Sequence, residues 1–210
     1  MKNPILNIST SRAAMTVGIA FITSVIFVTL VDDFILPNFV VPGDTEALAH
    51  DIAANQRLFG LAVLGYFLVL VLDAIIGLAL YLVLKPAHEQ RARLTAAFRL
   101  LYAFTLIIGV LAFAFQIIDT YGFATIKLIG YVFFAVHILV LGYAVLKSGY
   151  IPKILGILLI LASFSYIVFF VDLHLSDSIM VMLMLLMAIA ELSLSIWLII
   201  KRKGLPNNNQ

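Results

Sequence analysis

Three ionisable side chains lie deep inside long apolar segments of this chain. Counted at 1.5 Å per residue from the nearer charged end of each segment, Asp73, His137 and Glu191 all lie at a depth of roughly 15 Å. A charge at the centre of a bilayer costs at least about 2.5–3.5 kcal/mol, so such residues normally face the interior of a helix bundle or a cavity. The matched depths predict a small polar cavity near the midplane, in which these groups bind a ligand or exchange a proton.

Four further residues are candidates for the same site. Tyr66 and Tyr81 fall on the helical face of Asp73, seven residues before it and eight after it. Arg99 lies near the start of its segment, where we expect its side chain to reach the lipid headgroups, with Asp73 as the alternative partner if the two helices adjoin. Gln116, near the other end of the same segment, is expected to line an outer vestibule.

One imidazole and two carboxylates would also suffice to hold a divalent ion and activate a water molecule. Asp73, His137 and Glu191 are therefore candidate metal ligands, and the loop residues Asp172 and His174 form a weaker candidate pair. The chain has no cysteine, which excludes thiol catalysis and thiolate ligation. Phosphate-binding, nucleophile-elbow and His-Glu-x-x-His motifs are missing from the sequence. It thus assigns no cofactor and leaves enzymatic activity open.

The composition identifies the elements that position these groups. Apolar residues make up 64% of the 210 residues and charged residues 11%, whereas soluble domains have about 45–50% and about 25%. The apolar runs do not alternate as barrel strands do, and each is long enough for a helix to cross about 30 Å of hydrocarbon. We predict an all-α, polytopic bundle in which sequential helices are antiparallel neighbours. Its six expected transmembrane helices are Ala13–Ile35, Leu58–Leu84, Leu94–Ile118, Ile126–Leu146, Ile151–Val171 and Ile179–Ile200.

The connections add detail to this single domain, which we place at residues 1–203. A short amphipathic helix, about Thr45–Asn55, is expected on the outer interface. Gly149 suits a left-handed position after the fourth span, and Pro152 suits the start of the fifth. Residues 204–210 are expected to be a disordered tail.

The basic residues predict the orientation. With a cytoplasmic N-terminus, only Arg57 and Lys127 of the 13 Lys and Arg residues fall on the outer side, which leaves 11 on the cytoplasmic side. We therefore expect both termini in the cytoplasm and an uncleaved first helix. The net charge of +2 reflects the cytoplasmic loops, so no nucleic-acid partner is expected. The expected partners are the bilayer and a ligand, and the oligomeric state stays open.

Two segments carry a resemblance to a known family. They are Val40-Val41-Pro42-Gly43-Asp44 after the first helix and Ser148-Gly149-Tyr150-Ile151-Pro152 between the fourth and fifth. The second is similar to the Ser-Gly-Tyr-Ile/Leu-Pro turn of a family of bacterial multi-pass membrane proteins catalogued as a domain of unknown function. The resemblance covers about Arg12 to Lys201 and implies a one-domain protein of the bacterial inner membrane. It transfers no activity and no site residue.

Three functions fit these observations. The first is binding or transport of a small or lipid-like molecule in the polar cavity. The second is an intramembrane metal-dependent hydrolase that uses Asp73, His137 and Glu191. The third is a structural or sensory bundle, in which the polar residues serve only as contacts between helices.

Overall fold

The protein is almost entirely helical in a computed structural model that describes residues 8–39, 45–171 and 175–206. Helix α1 (Thr10–Thr29) continues into a π-helical turn, Leu30–Ile35, and a 3-10 turn, Leu36–Phe39. The other helices are α2 (Thr45–Ala54), α3 (Gln56–Leu84), α4 (Glu89–Ala114), α5 (Thr120–Leu146), α6 (Lys153–Val171) and α7 (Asp177–Lys201), and a 3-10 turn, Arg202–Gly204, follows α7. The described residues contain no β-strand, so the prediction of an all-helical protein is confirmed.

Five helical segments are long and apolar enough to cross a membrane. They are Thr10–Phe39, Gln56–Leu84, Glu89–Ala114, Thr120–Leu146 and Asp177–Gly204. Helix α6 contributes a shorter apolar stretch, Lys153–Phe169. The prediction of a polytopic membrane protein thus agrees with the lengths of its helices, and the sixth span stays a prediction.

The six long helices form a ring in chain order. Each packs on the next, from α1 and α3 through α4, α5 and α6 to α7, and α7 closes the ring on α1. One core cluster joins all six helices, from Ala13 to Leu198. A second cluster, which includes Phe39 and Phe113, draws its described residues from the two turns after α1 and from α2 to α5 and the turn after α4, without α6 or α7. The helices are therefore less uniformly packed at that end of the ring.

Helix α4 ends earlier than the sequence predicts. It stops at Ala114 rather than Ile118, and Gln116 adopts a left-handed conformation with a φ of 56°. The Ile117 N–H donates to the Ala112 carbonyl at 2.8 Å, and the Gln116 N–H donates to the Phe113 carbonyl at 3.0 Å. These two bonds close the helix in the way that a glycine usually permits. Because position 116 is a glutamine rather than a glycine, the sequence did not indicate that α4 ends here.

The turn between α5 and α6 confirms the expected left-handed Gly149, whose φ is 80°. Ser148 Oγ donates to the Val145 carbonyl at 2.8 Å and accepts from the Ile151 N–H at 3.1 Å. The Tyr150 hydroxyl donates to the Val83 carbonyl at 2.6 Å. The Ser-Gly-Tyr-Ile-Pro segment therefore fixes the turn and attaches it to the end of α3.

The helices α5 and α6 approach each other closely at two glycines. A Cβ atom on Gly142 would lie 2.8 Å from the carbonyl oxygen of Gly156, and one on Gly156 would lie 2.7 Å from that of Gly142. Real Cβ atoms essentially never come so near to a backbone oxygen. The close packing of these two helices depends on both glycines.

Some of the predicted features lie outside the described residues. They are the Val-Val-Pro-Gly-Asp motif at 40–44, the outer metal candidates Asp172 and His174, and tail residues 207–210.

Candidate functional site

Arg99 joins two of the predicted site residues into one buried cluster. From α4, its Nε and Nη2 atoms donate to Asp73 Oδ1 on α3 at 3.1 and 2.5 Å. Its Nη1 atom lies 3.2 Å from His137 Nε2 on α5. We expected the Arg99 side chain to reach the lipid headgroups. Its exposed fraction is only 3%, so it is buried inside the bundle instead. The packing of α4 between α3 and α5 directs it inward, onto the alternative partner Asp73.

The hydrogen bonds of His137 define its tautomer. Its Nδ1 atom lies 2.7 Å from the Thr95 carbonyl oxygen, which can only accept, so Nδ1 carries the hydrogen. Arg99 can only donate, so Nε2 presents its lone pair to the guanidinium. Both ring nitrogens of a neutral imidazole are therefore used within the bundle.

This arrangement leaves no room for a metal ion between Asp73 and His137. The guanidinium of Arg99 already contacts the carboxylate and Nε2, the two groups that would have to ligate it. In the described part of the chain, no three His, Asp or Glu side chains are grouped closely enough to hold a metal ion. The donor set at the centre of the bundle suits an ion pair better than a metal centre.

A cavity of about 360 Å³ lies beside this cluster, inside the ring of helices. Asp73 and Glu191 both line it, whereas His137 is fully buried behind it. Its aromatic wall consists of rings in mutual contact, with centroids 4.6 Å apart for Tyr102 and Phe134 and 4.9 Å apart for Phe134 and Tyr166. The cavity thus combines two carboxylates with a largely aromatic and aliphatic surface.

Glu191 is held by a phenol. The Tyr166 hydroxyl on α6 donates to Glu191 Oε1 at 2.6 Å, and it is the only donor to this carboxylate among the described residues. Arg99 lines a small void that Glu191 also lines, but its hydrogen bonds go to Asp73 and His137. Glu191 therefore has no cation as a direct partner in the described part of the bundle.

The cavity is only partly enclosed, and both α1 and α7 contribute to its lining. These helices touch at Gly18, where an added Cβ would lie 2.8 Å from the Ser195 carbonyl oxygen. Farther along both helices, Thr29 and Met184 line the cavity instead, and Met184 is 51% exposed. The cavity is therefore lined by an exposed part of α7, beyond the close contact at Gly18.

A second polar cluster lies near the π-helical turn. Lys127 Nζ on α5 donates to Asp32 Oδ2 at 2.7 Å, and the Tyr66 hydroxyl donates to Asp32 Oδ1. Tyr66 is thus directed to Asp32 rather than to Asp73. The sequence reasoning missed this cluster, although Lys127 was one of the two basic residues that did not fit the charge asymmetry.

Two other candidates lie apart from the cavity. The Tyr81 hydroxyl donates to Glu89 Oε1 at 3.0 Å, on an exposed surface. Gln116 is exposed at the end of α4 and does not line the cavity. Sequence reasoning also missed Tyr102, Tyr131 and Tyr166 of the cavity wall. Their signal was available, since each places a phenol hydroxyl inside an apolar segment, where it needs a partner.

The comparisons with known proteins assign the chain to a family. Residues 16–118 and 111–201 match the family described as Domain of unknown function (DUF4386). The chain belongs to the DUF4386 family. The resemblance expected from the sequence is thereby confirmed, and the DUF4386 match includes Asp73, Arg99, His137 and Glu191.

One relative is similar in sequence over most of its own length. A protein of Archaeoglobus fulgidus, named "Uncharacterized protein", is 33% identical over 144 residues, which cover 69% of this chain and 85% of that protein. No solved structure matches the chain.

Proposed function

We propose that this DUF4386 protein binds or transports a small or lipid-like molecule in the cavity between its helices. The observation that supports this function is that one partly open cavity inside the ring of helices is lined by two buried carboxylates. Its volume, about 360 Å³, falls within the range of about 300–1,000 Å³ that is typical of ligand pockets.

The proposal includes an arrangement in the membrane. The six long helices all cross the bilayer of the cytoplasmic membrane, α2 lies at its outer face, and both termini are cytoplasmic. Helix α6 stands in the ring between α5 and α7, which both have the length of a span, and this supports its role as the sixth span. The distribution of Lys and Arg supports the orientation.

The shape of the cavity supports a mode of binding. An amphipathic molecule enters from the bilayer between α1 and α7, beside Met184, which lines the cavity and is 51% exposed. Its polar end reaches Glu191 and Asp73, and its apolar part lies against Phe134 and Met187. Methionine suits such a surface because its side chain adapts to ligands of irregular shape.

The two alternative functions have less support. A metal-dependent hydrolase that uses Asp73 and His137 would require Arg99 to leave both of them. A purely structural bundle accounts for the ion pair, but it gives no reason for a cavity at the carboxylates, since helix interfaces are otherwise closely packed.

Two neighbouring residues of α7 provide a matched test. Met184 and Leu185 are both more than half exposed, but only Met184 lines the cavity. The protein is purified in mild detergent and incubated with decanol, decanoate or decyltrimethylammonium, and native mass spectrometry counts the molecules bound to each chain. We expect the wild type and Leu185→Trp to bind one molecule of at least one probe, and Met184→Trp to lose it.

Two results would overturn the proposed function. One is that none of the three probes binds to the folded wild type above the level found with a membrane protein that has no such cavity. The other is that Met184→Trp and Leu185→Trp bind equally well, which would place the probe on the outer surface of the bundle.

A further inference from the structure

Among the described residues, the charges inside the bundle pair off with one exception. Asp73 pairs with Arg99, and Asp32 pairs with Lys127. Glu191, with an exposed fraction of 7%, accepts a hydrogen bond from Tyr166 and has no ion-pair partner in the described residues. An uncompensated charge in a bundle interior is costly, so this carboxylate needs either a proton or a cation.

The surroundings of Glu191 do not supply that cation. Helix α1, which packs on α7, brings Phe21 and Val25 to the cavity and no titratable group among its lining residues. The titratable and charged groups that face the cavity or its adjoining void from the other helices are Asp73, Arg99, Tyr102, Tyr131 and Tyr166. Arg99 is the one cation among them, and its donors are directed to Asp73 and His137.

The cavity wall is suited to a cation of low hydration. Aromatic rings attract an organic cation to their faces, and tyrosine and phenylalanine rings surround quaternary ammonium groups in known binding sites. Six aromatic side chains line this cavity on α1, α4, α5 and α6, namely Phe21, Tyr102, Tyr131, Phe134, Tyr166 and Phe169. Arg99 already shows the interaction at the edge of the site, with its guanidinium carbon 5.1 Å from the centroid of Phe134.

We propose that the ligand is an amphipathic organic cation, and that it exchanges with a proton on Glu191. This inference rests on the proposed function of the cavity. In the empty protein Glu191 is a neutral carboxylic acid. When the cation binds, the O–H bond of Glu191 breaks, its proton leaves to solvent, and the carboxylate forms an ion pair with the cation. The charge of the site is the same before and after the exchange.

Asp73 has a different part in this exchange. Its charge is balanced by Arg99, so a cation beside it would not gain a free carboxylate. Arg99 also carries a positive charge close to the cavity, which disfavours a cation bound at Asp73. The exchange is therefore assigned to Glu191 alone.

The same three ten-carbon probes test the inference, because they differ in the charge of the headgroup. We expect decyltrimethylammonium to bind more tightly than decanol or decanoate. Glu191→Gln should weaken its binding by about 30-fold or more, because the ion pair is lost in a desolvated site. Asp177→Asn, a change of an exposed carboxylate on the same helix, should leave binding unchanged.

Proton exchange has its own signature. In weakly buffered solution, an indicator dye should report one proton released for each decyltrimethylammonium bound to the wild type, and none for Glu191→Gln. The probe keeps its charge at every pH, so any pH dependence of its binding comes from the protein. Over the range in which Glu191 is protonated in the empty protein, the dissociation constant should rise by about tenfold for each unit by which the pH is lowered.

The outcomes separate this inference from the proposed function. If decanol or decanoate occupies the cavity as tightly as the cation, or if Glu191→Gln binds the cation as the folded wild type does, the inference is wrong and the cavity still binds a ligand. Binding without proton release would likewise overturn the exchange. If no probe binds, the proposed function itself fails.

Discussion

Arg99 donates through two nitrogen atoms to a single oxygen of Asp73, Nε at 3.1 Å and Nη2 at 2.5 Å, although 26 positions separate the two residues in the chain. The other carboxylate oxygen of Asp73 receives no hydrogen bond from the described residues, and Asp73 lines the cavity. The ion pair thus connects α3 to α4 and also forms part of the cavity wall.

Removing one partner of this ion pair should strongly destabilise the protein. Arg99→Met leaves the Asp73 charge buried without a partner, which typically costs about 3–5 kcal/mol. The double variant Asp73→Leu/Arg99→Met removes both charges and should recover most of that loss. The stabilities of the wild type, Arg99→Met and the double variant are compared by unfolding in mild detergent, which circular dichroism follows. If the double variant is no more stable than Arg99→Met, the pair is not coupled as the structure indicates.

His137 should exist as the neutral tautomer with hydrogen on Nδ1. Its Nδ1 atom donates to the Thr95 carbonyl, and its Nε2 atom accepts from Arg99. Nitrogen-15 NMR of selectively labelled histidine distinguishes a protonated from an unprotonated ring nitrogen, and the spectrum of His137→Gln assigns the signal. Hydrogen found on Nε2 at neutral pH would contradict the geometry of this cluster.

The contact between α5 and α6 predicts opposite effects for two glycine substitutions. Gly142→Ala places a methyl group 2.8 Å from the Gly156 carbonyl oxygen, so the helices must separate, at a cost of about 1–3 kcal/mol. Gly60 on α3 has nothing within 4 Å of an added Cβ, so Gly60→Ala should be neutral or stabilise by up to about 1 kcal/mol. Equal melting temperatures for the two variants in detergent would show that α5 and α6 do not pack so closely.

The Tyr150 hydroxyl should make stability depend on alkaline pH. Burial raises the pKa of Tyr150 from its usual value of 10 to about 12, and the hydroxyl donates to the Val83 carbonyl. The unfolded chain therefore loses this proton first as the pH rises. The stabilisation is complete below pH 10 and is lost as the pH rises through about 12.

Tyr150→Phe provides the reference for this effect, since all other tyrosines titrate in both proteins. The wild type should be more stable than Tyr150→Phe at pH 8, by about 1 kcal/mol for the lost hydrogen bond. Its advantage should shrink when melting is followed from pH 10 upward. A difference that stays constant across this range would show that the hydroxyl is not buried in the folded protein.

The sequence located the centre of the site because depth depends only on the position of a residue in an apolar segment. Asp73, His137 and Glu191 required no knowledge of the packing to be placed near the midplane. The partner of Arg99 did require it, since the same side chain would reach the headgroups if α4 faced the lipid. In the closed ring, α4 packs between α3 and α5, so the Arg99 side chain contacts Asp73 rather than the headgroups.

The partner of Tyr66 could not be predicted for a different reason. Asp32 lies in a π-helical turn, Leu30–Ile35, where the spacing of side chains differs from the 3.6-residue period of an α-helix. Helical periodicity therefore does not give the direction of Asp32. The sequence predicted a polar cavity but not its aromatic wall, because that wall depends on how α4, α5 and α6 pack against one another.

The most direct test of the cavity as a ligand site is photo-crosslinking in lipid nanodiscs. The probe is a ten-carbon amphiphile with a diazirine in its chain, used with either a quaternary ammonium or a hydroxyl headgroup. Peptide mass spectrometry then maps the labelled residues with and without excess unlabelled probe. We predict that the excess suppresses labelling at Val25, Val28 and Met187, which line the cavity, and leaves labelling at the lipid-facing Leu185 unchanged. Labelling confined to lipid-facing residues, or unaffected by excess probe at every position, would contradict a ligand site inside the ring.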